Sequence, residues 1–236
     1  MQSDEYDEGY FKETRDNVGL LLKTMRPMWW RWVRILRGYK RTGRLLDVGC
    51  GEGYFLQYAE KYYDTYGSDV SEYCIREAKQ RTDRTRLSVG SVTHIDYEDE
   101  NFDMITCFDV LEHLDNPGAA IRECRRVLKR GGVFVARVPN TSSPGCKWKK
   151  EDWFGYKDKT HVSLLSNEEW FEVFRKNDFE IVGVFYDGLW DTPYLKYIPK
   201  FIQDCFIKIP SLGLFLAGMK FSRKWGENLC MIACKR

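Results

Sequence analysis

Several features that would assign a class at once are missing from this sequence. No run of roughly 18 or more apolar residues is present, so nothing in it reads as a membrane-crossing helix. No basic stretch followed by an apolar one opens the chain, and no secretory leader is expected. The eight cysteines, at 50, 74, 107, 124, 146, 205, 230 and 234, contain no C-x-x-C pair, which removes the common zinc and redox signatures. Four of them fall in expected core strands or helices and read as reduced, small buried hydrophobes, the usage of a cytoplasmic protein. Cys230 and Cys234 lie four apart on an expected strand, hence on one face, where packing is expected rather than a metal. Histidine is scarce, with only His94, His113 and His161. Net charge is also small, +2, so bulk electrostatics favours no nucleic-acid partner.

What is present is enough apolar material for one domain with cap elements: 236 residues, 43% hydrophobic and 15% aromatic. The chain is organised around Leu45-Leu46-Asp47-Val48-Gly49-Cys50-Gly51-Glu52-Gly53-Tyr54-Phe55. Leu45–Val48 reads as a buried strand, and three alternate glycines then open a helix near Tyr54. Glycine is needed where the chain turns with positive φ or where backbone must touch a ligand. Strand, glycine turn and helix N-terminus together make a nucleotide cradle. The spacing is G-x-G-x-G, which departs from the G-x-G-x-x-G dinucleotide fingerprint. Asp47 sits where a carboxylate can face a cationic ligand. Asp69, 20 residues after Gly49, stands at the usual distance of the acid that grips ribose hydroxyls.

Alternating strand and helix patterns imply a parallel sheet. Strands are expected at 44–48, 64–68, 86–89, 104–108 and 133–138, with helices at about 54–61, 72–82 and 117–129. A first helix is expected in 20–39, where Arg31, Arg34 and Arg37 form a solvated face. Gly131-Gly132 turns into the fifth strand, and Pro139 ends it. Ser166 and Glu169 form an S-x-x-E capping box before another helix. Strands six and seven are expected at 178–186 and 228–235.

The glycine stretch resembles motif I of class I S-adenosylmethionine (SAM)-dependent methyltransferases. Phe102–Leu114 resembles the family's fourth strand and following loop, and Arg126–Val135 its turn into strand five. The three motifs cover about residues 38–142, in order, and the likeness extends to ubiquinone-pathway and other small-molecule methyltransferases. It implies an α/β, doubly wound, Rossmann-like sheet of seven strands in the order 3-2-1-4-5-7-6, with helical cap insertions. The core is then about 38–142, 166–189 and 227–236. Lid or cap elements are 1–37, 141–165 and 190–226; the Tyr6, Tyr10 and Phe11 arm is either frayed or folded over the site.

By the same resemblance SAM is the cofactor and S-adenosylhomocysteine the product. Gly49, Cys50, Gly51 and Gly53 approach the methionine and ribose parts, Asp47 holds the ammonium, and Asp69 with Val70 holds the ribose. Ser91 takes the place of the family's adenine-binding aspartate, a departure that keeps a hydrogen-bond acceptor and loses the charge. Val92 offers its N–H to adenine, and Cys107 and Phe108 line the methionine side. Asp109-x-x-Glu112-His113 resembles a cluster associated with a divalent metal in ubiquinone-pathway O-methyltransferases. Asp and Glu would share a helix face there. Glu-His at this place is widespread without metal, and none is expected. Asp158-x-x-His161 matches a D-x-x-H found after strand five in many related enzymes. His161 is the candidate general base, with Asp158 as its carboxylate; the alternative is a histidine that ties the loop to the core.

Residues 194–225 mix apolar clusters with six Lys or Arg, at 196, 200, 208, 220, 223 and 224, against Asp204 alone. Such a stretch either lies on an anionic membrane surface or buries its face as a cap or in a dimer. Either way the acceptor is expected to be a small or lipid-linked molecule, the protein monomeric or homodimeric, and its location cytoplasmic or peripheral at a membrane. A catalytically silent SAM-binding subunit and an NAD-dependent oxidoreductase are the competing functions. The glycine spacing and the Gly131-Gly132 turn disfavour the oxidoreductase, and the intact glycine triplet with Asp69 disfavours the silent subunit. No N-P-P-Y motif or Pro-Cys context points to a base-modifying enzyme.

Overall fold

The computed structural model describes residues 9, 26–223 and 225–236, so the Tyr-rich arm and Lys224 lie outside the described residues. Seven strands form one sheet: β1 (Arg44–Val48), β2 (Asp64–Asp69), β3 (Arg86–Val89), β4 (Phe102–Phe108), β5 (Leu128–Pro139), β6 (Phe179–Tyr186) and β7 (Asn228–Lys235). Their order is β3-β2-β1-β4-β5-β7-β6. The first five run parallel, and β7 pairs antiparallel with both β5 and β6. The expected seven-stranded Rossmann-like topology is therefore what the chain adopts.

Alternation along the strands fills two layers. In β4, Ile105 and Cys107 enter one core cluster while Met104 and Phe108 enter the other. The first cluster is closed by α4 (Pro117–Val127) and α7 (Asn167–Lys176), which adds Trp170 and Phe174, the latter stacked on Phe134 at 5.4 Å between ring centroids. Burial of each such side chain stabilises by about 1.5–3 kcal/mol. The second is closed by α1 (Arg26–Arg37) through Trp32, Val33 and Leu36, with α2 (Leu56–Ala59) and α3 (Glu72–Arg81) beside it. Cys230 and Cys234 both face this second layer, as strand periodicity requires.

Local chemistry sets the element ends. The capping box forms: the Ser166 hydroxyl accepts the Glu169 N–H at 3.3 Å, and Glu169 Oε2 accepts the Ser166 N–H at 2.7 Å. Gly131-Gly132 lies inside β5 rather than before it. Leu128 already pairs with Phe102, and the register then jumps to Met104 with Val133, so the glycines, with Gly131 at φ +66°, form a bulge. Arg31 departs from the expected solvated face. Its guanidinium donates to the Phe215 and Gly218 carbonyls at 3.2 and 3.3 Å, tying α1 to the 187–227 connection.

That connection joins the end of β6 to the start of β7. Both lie at the edge of the sheet where the parallel strands end. It contains α8 (Lys200–Gln203), a π-turn (Asp204–Lys208) and α9 (Ile209–Leu216). The 141–165 insert contributes α5 (Pro144–Lys149) and α6 (Phe154–Lys157). Buried Glu227 links the two segments by accepting from Tyr194 Oη (2.7 Å), Trp153 Nε1 (3.2 Å) and the Gly145 N–H (3.2 Å).

Candidate functional site

After β1 the chain turns through Gly49, Gly51 and Gly53, all with φ between +51° and +77°. The reasons for glycine differ along the turn. A β-carbon at Gly49 would stand 2.2 Å from Val110 Cγ2, and one at Gly53 would stand 3.0 Å from Ala78 Cβ. These two make room for the neighbouring side chains of Val110 and Ala78. At Gly51 an added carbon meets nothing within 4 Å, so there the bare backbone borders open space fit for a ligand. Gly90, just beyond β3, is open in the same way.

Asp69 closes the cradle. Its Oδ2 accepts the Gly51 N–H at 2.8 Å and its Oδ1 accepts the Ser71 N–H at 2.9 Å. The Val70 N–H also bonds this carboxylate, so three backbone donors hold it, and its remaining acceptor capacity suits a ligand hydroxyl. Burial pushes this carboxyl up, and the backbone N–H donors partly offset it. Half-buried Val70 follows it. Asp47 lies beneath the turn, fully buried, with its Oδ1 accepting the Thr106 hydroxyl at 2.6 Å. Burial drives its carboxyl up to about 8, the Thr106 hydroxyl opposes the shift, and nearby Asp69 adds to it. A buried carboxylate of this kind gains from a cation beside it.

The other cradle positions differ in what they can offer. Cys50 is buried with its thiol pushed well up. The Ser91 hydroxyl is bonded to Thr93 Oγ1 at 2.8 Å, and the Val92 side chain is buried in the core. Cys107 is fully buried in the first core layer, which leaves only its backbone to reach a ligand. Phe108 instead joins an aromatic wall, with ring centroids 4.7 Å from Trp32, 5.2 Å from Phe55 and 5.9 Å from Trp29.

Arg137 of β5 was not among the expected site residues, although one charge inside the apolar run Val133–Pro139 was a visible signal. Its buried guanidinium lies over Trp29, Trp32 and Phe108 and is bound by Asp109, with Nε to Oδ1 at 2.9 Å. This corrects the geometry expected for Asp109. It is not on a helix face with Glu112: it sits at φ +56° before a short 3₁₀ turn, Leu111–His113, and is drawn to Arg137. Asp187, at the end of β6, is pushed up to about 6 by burial and held down in part by the Arg137 charge.

The 141–165 insert folds back on the loop after β4. The Glu112 carbonyl accepts the N–H groups of Val162 and Ser163 at 2.9 and 2.8 Å, and Ser163 Oγ donates to the Leu114 carbonyl at 2.6 Å. Thr160 Oγ1 donates to Asp158 Oδ1 at 2.6 Å and lies 2.8 Å from His113 Nδ1. The His113 and His161 rings are 4.7 Å apart. Glu112, His113 and His161 place one ligand atom each within 4.8 Å of one another, so a cation could be held there by His161 in place of Asp109. Glu112 Oε2 is buried without a hydrogen-bond partner among the described residues. Burial and neighbouring Asp109 push that carboxyl well up, whereas burial and then His161 push His113 down to about 4. His161 Nδ1 is 2.8 Å from the Gly155 carbonyl, and its Nε2 is 3.8 Å from Asp158 Oδ2. His94 lies exposed in the loop after β3.

An open parallel sheet with a glycine cradle at the end of β1, an acid at the end of β2 and chemistry-bearing loops after β4 and β5 defines the class I SAM-dependent methyltransferase fold. A family model described as a methyltransferase domain matches residues 20–184, and the chain belongs to that family. SAM is the cofactor of this domain. Among curated relatives, a probable SAM-dependent methyltransferase of Mycolicibacterium smegmatis is 30% identical over 155 residues, 63% of this chain and 58% of that protein. A ubiquinone biosynthesis O-methyltransferase of Bordetella avium is 29% identical over 124 residues, 50% of this chain and 52% of that protein. The chain thus spans about half the length of curated relatives it matches. Among solved structures, a SAM-dependent methyltransferase of Thermotoga maritima, described as a possible histamine N-methyltransferase, superposes with a TM-score of 0.68. It is 22% identical, with 96% of this chain and 97% of that chain covered. An Archaeoglobus fulgidus SAM-dependent methyltransferase gives 0.66 at 18% identity, covering 97% and 100%. At such identities these two show the fold.

Proposed function

We propose that the protein transfers the methyl group of SAM to an oxygen or nitrogen of a small or lipid-linked acceptor, with His161 receiving the proton that leaves. The observation that carries this is the hydrogen bond from His161 to the Gly155 carbonyl. A carbonyl only accepts, so Nδ1 holds the proton and Nε2 holds the lone pair. Asp158 Oδ2 lies 3.8 Å from Nε2. The ring sits in the loop beyond β5, at the strand ends where open α/β sheets gather their chemistry.

Bound SAM supplies an electrophilic methyl group on a sulfonium. The protein's part is to hold and orient. The backbone of Gly49, Cys50, Gly51 and Gly53 would hold the methionine and ribose parts. Asp47 would hold the ammonium, Asp69 and Val70 the ribose, and Ser91 and Val92 the adenine. Phe108 and the Cys107 backbone would border the methionine. In-line displacement then depends chiefly on proximity and on removal of the acceptor proton.

The test supplies SAM carrying a tritiated methyl group to lipid and aqueous extracts of the source cells. Label is expected in the organic phase. His161→Gln should lower the rate about 10²–10⁴-fold with SAM affinity unchanged by calorimetry. SAM binding with no labelled product in any extract would favour the silent-subunit reading. Full labelling by His161→Gln would remove the base from that residue.

A further inference from the structure

Across the helical segment 200–216 and its flanking turns the usual arrangement of a surface helix is inverted. Gln203, Ser211 and Lys208 face inward, at 2%, 6% and 8% exposure, while Tyr197, Phe206 and Phe201 stand out at 92%, 78% and 68%. Ile209, Leu214 and Met219 are exposed as well. Two of these inward polar groups, Gln203 and Ser211, are hydrogen-bonded to backbone. Gln203 Oε1 accepts the N–H groups of Tyr194 and Leu195 at 2.7 and 2.9 Å, and its Nε2 donates to the Leu195 and Ile198 carbonyls. Ser211 Oγ accepts the Leu189 N–H at 2.7 Å.

The π-turn preserves this inversion. Gln203 and Lys208 are five apart, a step that would swing the side chain by about 140° on an α-helix but far less around a π-turn. Ser211 and Phe215 follow at three and four, so all four face the body of the protein. The side left to solvent is apolar. Surface helices of water-soluble domains show the opposite pattern, and a contiguous exposed apolar patch marks an interaction site.

We propose that this outer face docks on the surface of an anionic phospholipid membrane. Charge argues for that occupant. Of the six Lys or Arg in 194–225, Lys200 is paired at 2.8 Å with the one acid, Asp204, which Thr192 Oγ1 also holds; Arg223 is paired with Glu168, and Lys208 is buried. Lys196 and Lys220 are exposed and form no ion pair with any described residue. Tyr197 and Trp225 add amphipathic rings of the type found at headgroup depth. A second copy of the chain would set one basic face against another. No described helix is long and apolar enough to cross a bilayer, so the face lies on the membrane. Buried Lys208 takes no part, contrary to the sequence-based expectation that counted it in the basic face.

The connection leaves β6 and enters β7 at the sheet edge that carries the cradle, so docking brings that edge to the lipid surface. In this the inference rests on the lipid-linked form of the acceptor proposed above. Vesicle binding is read without turnover, which keeps the two separable.

The experiment sediments the full chain with vesicles of phosphatidylcholine alone and of phosphatidylcholine mixed with phosphatidylglycerol. Wild type is expected on the mixed vesicles, with binding that falls as salt rises. The double variant Phe201→Asp, Phe206→Asp should lose at least about tenfold in partition. Lys196→Glu, Lys220→Glu should lose roughly tenfold and flatten the salt dependence. SAM affinity should be unchanged in both, which checks the fold. No vesicle binding by wild type, or equal binding by the phenylalanine variant, would overturn the proposal. So would a dimer in light scattering that the phenylalanine variant dissolves while vesicles go unbound, since the face would then belong to a second copy. Vesicle binding with no label in any lipid extract would leave the docking standing and remove the lipid-linked acceptor.

Discussion

Binding of SAM should release a proton from Asp47. The carboxyl is buried beneath the cradle with one hydroxyl partner, and burial lifts it to about 8. Below that pH it is mostly neutral, and each pH unit below the titration point costs about 1.36 kcal/mol to ionise it. A cationic ammonium beside it favours the carboxylate, so the proton must leave as the ligand enters. Affinity should therefore rise about tenfold between pH 6 and pH 7, and about one proton should be released per ligand near pH 6.5. Above about pH 8 the ligand's own α-amine begins to lose its charge and affinity should level off or fall. The same shift has a consequence for the free protein. A carboxyl raised on folding contributes stability that is full below its unfolded value, near 4, and is lost as pH rises through 8. Titration calorimetry at pH 6.5 in buffers of different ionisation enthalpy measures the proton count directly. Asp47→Asn should abolish the release and flatten the acid limb. A zero slope in wild type, or an undiminished slope in the variant, would refute the assignment of the ammonium to Asp47.

Two further outcomes concern the same cradle and its neighbour. Asp69→Ala should weaken SAM by about 1.5–3 kcal/mol in calorimetry, the scale of hydrogen bonds to a charged group, with the melting temperature moved much less. An unaltered dissociation constant would place the ribose acid elsewhere. Chelation followed by a turnover assay should leave methyl transfer unchanged. Loss of activity that magnesium restores would assign Glu112, His113 and His161 to a metal and take the base role from His161.

Much of the fold was legible because it rests on local patterns. Short apolar runs placed the strands, helical spacing placed the helices between them, and Ser166 with Glu169 announced the start of α7. The cradle glycines and Asp69 could be found from spacing, since a strand, a tight turn and a helix start are consecutive in the chain. The expected bounds failed where pairing overrode local signals, as in β5. Its first residues join β4 ahead of the glycine bulge, a register that depends on a strand distant in sequence.

The site around His161 divides along the same line. The sequence by itself determined which residue types follow β4 and β5, because Asp109, Glu112, His113, Asp158 and His161 all sit in recognisable motifs. It could not determine their partners. Only the tertiary structure brought the His161 ring to His113, turned Asp109 toward Arg137 and joined the 141–165 insert to the 187–227 connection through Glu227. Periodicity likewise told that residues 194–225 were amphipathic but not which side was buried. That choice fell to specific contacts. The Gln203 amide and Ser211 hydroxyl fit unsatisfied backbone groups beneath them, and their burial left the phenylalanines outside. Helical spacing fixes which residues share a face, whereas the polar groups waiting across the interface fix which face turns in.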